Sequence, residues 1–138
     1  MRKMRLLVVL VAVMLTVAAS ATAANPVRAT MKTSSTKPLV DTPWRYTITV
    51  QDRTGKLLAA KVRIHILLGK LVVGCWKRTA IVACSGATPG TWISFKGKRT
   101  GVIRWPAHSA GIKLTFRATV VAWERSLKLR APVIVQVP

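Results

Sequence analysis

The sequence predicts an all-β domain of about seven short strands, folded as two antiparallel sheets packed face to face. Three observations carry this expectation. Apolar residues recur with period two in run after run between Trp44 and Val137, as strands with one face in a core and one in water require. Turn-forming residues interrupt these runs about every ten residues, the spacing of a sandwich. Beyond the apolar segment near the start, no run has a helical period. A closed barrel is the competing arrangement, because strand patterning alone does not separate it from a sandwich.

The chain opens with Arg2, Lys3 and Arg5, then the apolar run Leu6 to Ala19, broken by Thr16, then Ala21-Thr22-Ala23. A basic start, an apolar middle and a small-x-small end form a secretory signal peptide, expected over residues 1–24. As a helix the apolar run would span about 21 Å, short of the ~30 Å of a bilayer core. The chain is therefore expected to work outside the cytoplasm, secreted or associated with the cell envelope, with no transmembrane segment once the signal is removed. Residues 25–43, NPVRATMKTSSTKPLVDTP, lack an apolar period and are rich in Thr, Ser, Lys and Pro, which predicts a flexible leader. The domain itself is expected over 44–138.

Within the domain, Trp44, Tyr46, Ile48 and Val50 alternate with Arg45, Thr47, Thr49 and Gln51. Asp52-Arg53-Thr54-Gly55-Lys56 supplies a turn, with Asp able to bond nearby backbone and Gly free to take positive φ. The next run points Val62, Ile64 and Ile66 inward and Lys61, Arg63 and His65 to solvent, then loses its alternation at Leu67-Leu68, where a bend or bulge is expected. Leu71–Val73 and Ile81–Ala83 read as short strands that place Cys75 and Cys84 side by side. Gly86, Pro89 and Gly90 then interrupt the chain. Strands follow at 91–95 and 101–105, joined by the charged turn Lys96-Gly97-Lys98-Arg99, and 106–111 form a loop. Leu114, Phe116, Ala118, Val120 and Ala122 share one face of a long strand. The closing run, Leu127 to Val137, contains Pro132 and so belongs at a sheet edge. These last two strands are expected to pair across Glu124-Arg125-Ser126. Trp44, Tyr46, Trp92, Trp105 and Phe116 are expected in the core, with Trp76 and Trp123 at the surface.

This layout resembles the immunoglobulin-like domains of exported and surface proteins of bacteria, in particular short secreted proteins of actinobacterial type. The segments that carry the likeness are WRYTITVQDRTGKLLAAKVRIHIL, GVIRWP, GIKLTFRATVVAW and LKLRAPVIVQV. The resemblance implies an immunoglobulin-like β-sandwich serving as a structural, adhesive or ligand-binding module, and it brings no catalytic residues. Antibody-type domains bridge their two sheets with cysteines far apart in sequence. Cys75 and Cys84 are too close for that and are expected to staple a local loop.

Export to an oxidising compartment also favours a disulfide between these two cysteines, the only ones in the chain. Closing a loop of about ten residues restricts the unfolded chain by roughly 2.5–3 kcal/mol. Two cysteines without a neighbouring histidine make a poor zinc site, and Gly86, Gly90, Gly97 and Gly101 match no phosphate-binding loop. No cofactor or metal is expected. Catalysis needs positioned acid–base or nucleophile–base pairs. The carboxylates Asp41, Asp52 and Glu124 are scattered, and the adjacent pair His108-Ser109 reads as a surface loop, so the chain is expected not to be an enzyme.

Charge is the one strong functional signal. Of 23 basic residues, three leave with residues 1–24, so 20 stand against three carboxylates, a net of about +17. Such a surface attracts polyanions. The candidate anion-binding residues are Arg45, Lys61 and Arg63, grouped with His65 on what reads as one strand pair; Lys96, Lys98, Arg99 and Arg104, around one turn; and Arg117, Lys128 and Arg130, on the terminal pair. The expected partner is acidic cell-envelope polymer or another anionic surface, with a protein partner as a further possibility. Nonspecific nucleic-acid binding is the alternative, weakened by export and by the absence of a recognised motif. A third reading is an enzyme inhibitor or accessory domain that presents Trp76-Lys77-Arg78 on the stapled loop.

Overall fold

A computed structural model describes residues 25–77, 80–85 and 90–138. The expected signal segment 1–24, Arg78 and the Gly86 and Pro89 interruption lie outside these residues. Nine strands run in chain order among the described residues: β1 (Val27–Thr33), β2 (Pro43–Asp52), β3 (Ala59–Leu68), β4 (Leu71–Lys77), β5 (Ala80–Ala83), β6 (Ile93–Lys96), β7 (Lys98–Arg104), β8 (Lys113–Ala122) and β9 (Arg125–Ile134). Two antiparallel sheets result. The smaller has the order β1-β2-β7, and the larger the order β5-β4-β3-β8-β9 with β6 also paired to β3. Their inner faces meet in one core, giving a sandwich and not a closed barrel. No helix among the described residues is long and apolar enough to cross a membrane.

The alternation in the sequence becomes the alternation of burial. Trp44, Tyr46, Ile48 and Val50 of β2 are buried, as are Leu114, Phe116, Ala118, Val120 and Ala122 of β8. The ring of Trp44 meets Trp105 at 5.5 Å and Phe116 at 5.1 Å, and Tyr46 lies 5.0 Å from Phe116. Side chains of β2 thus meet a side chain of β8 in the other sheet, edge-to-face for Trp44 and tilted for Tyr46, and edge-to-face contact is a geometry that aromatic pairs favour. The Trp44 indole also donates to the Ser35 carbonyl at 2.7 Å.

That last bond belongs to the segment 25–43, which the sequence predicts to be a flexible leader. Residues 27–33 instead form an edge strand on β2, from Val27 opposite Asp52 to Thr33 opposite Tyr46. The chain after it is held on both sides: Ile134 and Gln136 donate to the carbonyls of Thr36 and Pro38, and Val40 and Asp41 donate to those of Gln136 and Trp105. The inner face of β1 offers only Val27, Ala29, Met31 and Thr33, too small and mixed a set to register as an apolar stripe.

The turn after β2 forms as expected. The Asp52 carboxylate accepts from the Thr54 amide at 2.8 Å, the Thr54 hydroxyl at 2.7 Å and the Lys56 amide at 3.0 Å, and Gly55 takes positive φ. The Thr54 hydroxyl first, then the Lys56 and Thr54 amides and the Lys56 charge, hold this carboxyl below its ordinary value. Its stabilisation is therefore fully present above the unfolded pKa of about 3.9 and is lost as pH falls through the lower folded value. Asp52→Asn should lower the melting temperature at pH 6 and abolish this acid-range loss, read from melts taken between pH 2 and pH 6.

The strands on either side of this turn lie in different sheets, so β2 and β3 do not pair. The Lys96–Arg99 segment also departs from a hairpin. β6 pairs with β3 and β7 with β2. The chain changes sheets at Gly97, whose amide donates to Leu58 and whose carbonyl accepts from Val50, both at 2.7 Å. Gly97 has φ 73° and a Cβ there would run into Leu57, so only glycine suits the crossing. The β8–β9 turn is two residues, Trp123 and Glu124, both at positive φ, one position earlier than the sequence placed it. Positive φ at both positions matches the twist of the flanking strands. Strand β9 lies at the sheet edge as Pro132 predicts, and the irregularity at Leu67 appears as a register shift against β4.

Cys75 and Cys84 are joined by a disulfide that ties β4 to the residue after β5, within one sheet. Three side chains depart from expectation. His65 is 2 % exposed and not solvated. Trp76 is half-buried against the core and not at the surface, while Lys77 beside it is exposed. Trp92 lies on the outer face of the larger sheet and not in the core. Trp123 is exposed, as expected.

Candidate functional site

The outer face of the larger sheet gathers most of the candidate cations. Strand β3 pairs with β8 and β8 with β9, so His65, Arg117 and Arg130 form one cross-strand row, and Arg63, Thr119 and Lys128 the next. Lys61 follows, opposite Val121 on one side and Ser94 on the other. The alternation of a strand puts all of these on the face that turns away from the core. Just before β6, Trp92 supplies an aromatic surface, with Lys61 Nζ 4.8 Å and the Arg63 guanidinium carbon 4.5 Å from its ring centre. Contacts of this kind contribute about 0.5–1 kcal/mol each at exposed sites, and they hold two cations side by side.

Beneath this layer the imidazole of His65 is buried, and Arg117 Nη2 lies 3.3 Å from its Nδ1. A guanidinium has no acceptor, so Nδ1 accepts and the ring proton sits on Nε2. Histidine thereby fixes Arg117 in place without neutralising it. Burial first, then the charges of Arg130 and Arg63, push the Arg117 guanidinium below its ordinary value, while it stays a cation at neutral pH. No carboxylate among the described residues pairs with Arg117. Asp41 precedes β2, Asp52 ends it, and Glu124 sits in the β8–β9 turn, so the register places none of the three in these rows. Arg117 faces Arg130 directly across the β8–β9 ladder, a like-charge pairing that destabilises an unliganded sheet.

Six of the ten sequence candidates thus share one face: Lys61, Arg63, Lys96, Arg117, Lys128 and Arg130, with Lys96 placed there by its pairing with Ala59. Arg45, Lys98 and Arg104 lie on the outer face of the smaller sheet. The grouping of Arg45 with Lys61, Arg63 and His65 on one strand pair does not form, because Arg45 and Lys61 belong to different sheets. The cluster around Gly97 is divided between the sheets for the same reason. Arg99 turns toward the core side, its Nε donating to the Tyr46 hydroxyl at 3.4 Å, and Arg104 donates to the Asp41 carbonyl at 2.7 Å. Register adds Lys77 and Lys113 to the larger face, and Arg28 and Lys32 to the smaller. Arg28 and Lys32 alternate with Val27, Ala29 and Met31, a weak period-two signal that could have found them.

The His108-Ser109 pair offers no nucleophile–base geometry of the kind acyl transfer uses. Ser109 is buried with its hydroxyl donating 2.6 Å to the Pro106 carbonyl, in a short 3₁₀ turn, and His108 is exposed. No group of three or more metal-ligating side chains occurs among the described residues. What the larger face can do chemically is bind anions: it offers fixed guanidinium donors, mobile ammonium groups and one aromatic ring, with no carboxylate in its rows. No protein-family model, curated protein or solved structure matches the chain.

Proposed function

We propose that the chain is a non-catalytic, exported module of the immunoglobulin-like sandwich class, which holds to acidic cell-envelope polymer through the outer face of its larger sheet. The observation that carries this reading is the row-by-row convergence of Arg63, Lys128, Arg117 and Arg130 beside Lys61 and Trp92, without a carboxylate in those rows. Separated cations would indicate only a soluble basic protein. Cations placed directly opposite one another raise the energy of the free sheet, and a bound polyanion relieves that cost. The immunoglobulin-like assignment draws on the two-sheet sandwich and on the segments that resemble such domains. The bridge within one sheet, Cys75 to Cys84, sets the chain apart from the antibody type.

Nucleic acid is the second reading, favoured by one feature: an aromatic ring set among cations is what base stacking on a charged groove requires. One experiment separates the two. The purified protein is passed over isolated cell wall and over single-stranded DNA of matched charge density, between 50 mM and 500 mM salt. Retention on the wall should be strong at low salt and fall steeply as salt rises, with affinity per charge greater for the wall than for DNA. Salt-independent retention rejects the electrostatic reading, and equal affinity per charge rejects a dedicated envelope partner.

A further inference from the structure

A separate feature lies at one end of the sandwich. Of the eleven large hydrophobic side chains exposed among the described residues, six gather there, and the strand register fixes their places. Leu68 ends β3 and faces Leu71 at the start of β4, across the two-residue turn Gly69-Lys70. Leu67 faces Thr115, so the start of β8 lies beside this turn and brings Ile112 with it. Ile134, at the end of β9, faces Lys113, and Leu39 bridges to Gln136, next to Val137. Leu71 is 69 % exposed, Leu68 46 % and Leu39 43 %. Of the other five, only Leu57 and Trp123 lie at the opposite end. The aliphatic end is therefore a concentration and not the single exposed residues that any surface carries.

Lysines are interleaved with these aliphatics. Lys70 stands between Leu68 and Leu71, Lys113 follows Ile112 and faces Ile134, and Lys37 lies two residues before Leu39, all three exposed. Of the three carboxylates only Asp41 is at this end, and the Arg104 guanidinium stands beside it, donating to its carbonyl at 2.7 Å. Asp52 and Glu124 lie at the opposite end, Glu124 directly after Trp123.

We propose that this end of the sandwich seats in the interface of an anionic lipid bilayer. A turn flanked by two outward leucines does not receive a partner as a groove does; it inserts. The six aliphatics come from four separate segments, which a broad apolar surface engages together and an extended peptide does not. Lysine stems lie along apolar surface while the ammonium reaches outward, so lysines set among inserted aliphatics meet the lipid phosphates. Binding then draws on buried apolar area and on attraction to anionic lipid together. Every copy of the chain carries the same excess of cations here, which disfavours a second copy as the occupant. The arginine rows and Trp92 take no part, so this assignment and the polyanion reading can fail separately.

The test measures binding of the purified protein to phosphatidylcholine vesicles with and without phosphatidylglycerol, and the rise in surface pressure when it is injected beneath monolayers of the same lipids. Binding to the phosphatidylglycerol vesicles is expected. The rise in pressure should persist in part at about 1 M salt, where the Debye length is about 3 Å and adsorption by charge alone is released. Leu68→Ser with Leu71→Ser should weaken vesicle binding by about tenfold or more and remove the rise in pressure. Both positions are exposed, so the far-ultraviolet circular dichroism should not change. Lys70→Gln with Lys113→Gln should weaken binding to the anionic vesicles about thirtyfold and leave phosphatidylcholine alone unaffected. Trp123→Asn, at the opposite end, and Lys128→Gln with Arg130→Gln, on the outer face, should leave the pressure rise at high salt unchanged. The proposal is overturned by a failure to bind the anionic vesicles, by binding that salt abolishes and the double serine variant leaves intact, or by an equal loss in Trp123→Asn. Sedimentation showing a dimer that Leu71→Ser dissociates would also overturn it, since this end would then be a self-interface.

Discussion

Gly101→Ala should destabilise the domain by about 2–3 kcal/mol and lower its melting temperature by on the order of 10 °C, read by calorimetry or by circular dichroism during heating. Gly101 lies directly opposite Tyr46 on the β2–β7 ladder, and the tyrosine ring crosses over it. A Cβ at this position would overlap the Cζ, Oη and Cε1 atoms of Tyr46. The ring has nowhere to retreat, since Tyr46 is buried and packs against Phe116, which in turn packs against Trp44. One added methyl therefore pushes on the aromatic contact that joins the two sheets. Thr100→Val, one residue away on the exposed face, should change stability by no more than about 0.5 kcal/mol. Replacing Tyr46 by leucine in the Gly101→Ala background should recover part of the loss, because the smaller side chain vacates the space above position 101. Full stability in the single alanine variant would mean that Tyr46 moves freely, contrary to its packing.

The sequence made the fold class and most of the core legible because β2 and β8 each carry large apolar residues on strict alternate positions, and burial follows that alternation apart from Thr119, which is buried on the outer side of β8. The Asp52 turn and the edge position of β9 were readable for a similar reason, since a side chain that caps its own backbone and a proline without an amide act locally. What escaped the sequence depends on contacts between distant segments. The β1 sequence reads as leader because Ala29 and Thr33 contribute little to an apolar stripe. Its order comes from a full ladder with β2. His65 looks solvated in the sequence because it alternates with core positions such as Val62, yet β3 is an interior strand and neighbouring side chains, Arg117 among them, close over the imidazole. The candidate site was legible in composition and not in arrangement. Alternation correctly sent Lys61, Arg63, Arg117, Lys128 and Arg130 outward. Which sheet each faced depended on the change of sheet at Gly97 and after Asp52, and a hairpin and an arch between sheets can carry the same turn residues.

Lys128→Gln combined with Arg130→Gln should weaken binding to an anionic polymer about tenfold at 50 mM salt and reduce the slope of log affinity against log salt by about 2 for a polymer of DNA-like charge density. The same change should raise the stability of the free protein at low salt by a few tenths of a kcal/mol. The opposite signs are the informative part. Arg130 faces Arg117 across the ladder, and Lys128 faces Thr119 in the same row as Arg63, so removing both charges relieves repulsion while leaving the His65–Arg117 contact and the Trp92 stack untouched. Both residues are exposed on the edge strand, where glutamine fits without disturbing the core, and Pro132 still blunts that edge against pairing with another chain. Arg45→Gln combined with Lys98→Gln, on the smaller sheet, removes the same net charge and should cost no more than about threefold in affinity. Binding that depends on total charge alone would fall equally in the two double variants. Binding that depends on the arrangement of the larger face falls in the first and not in the second, and only that outcome distinguishes a built anion-binding face from a merely basic protein.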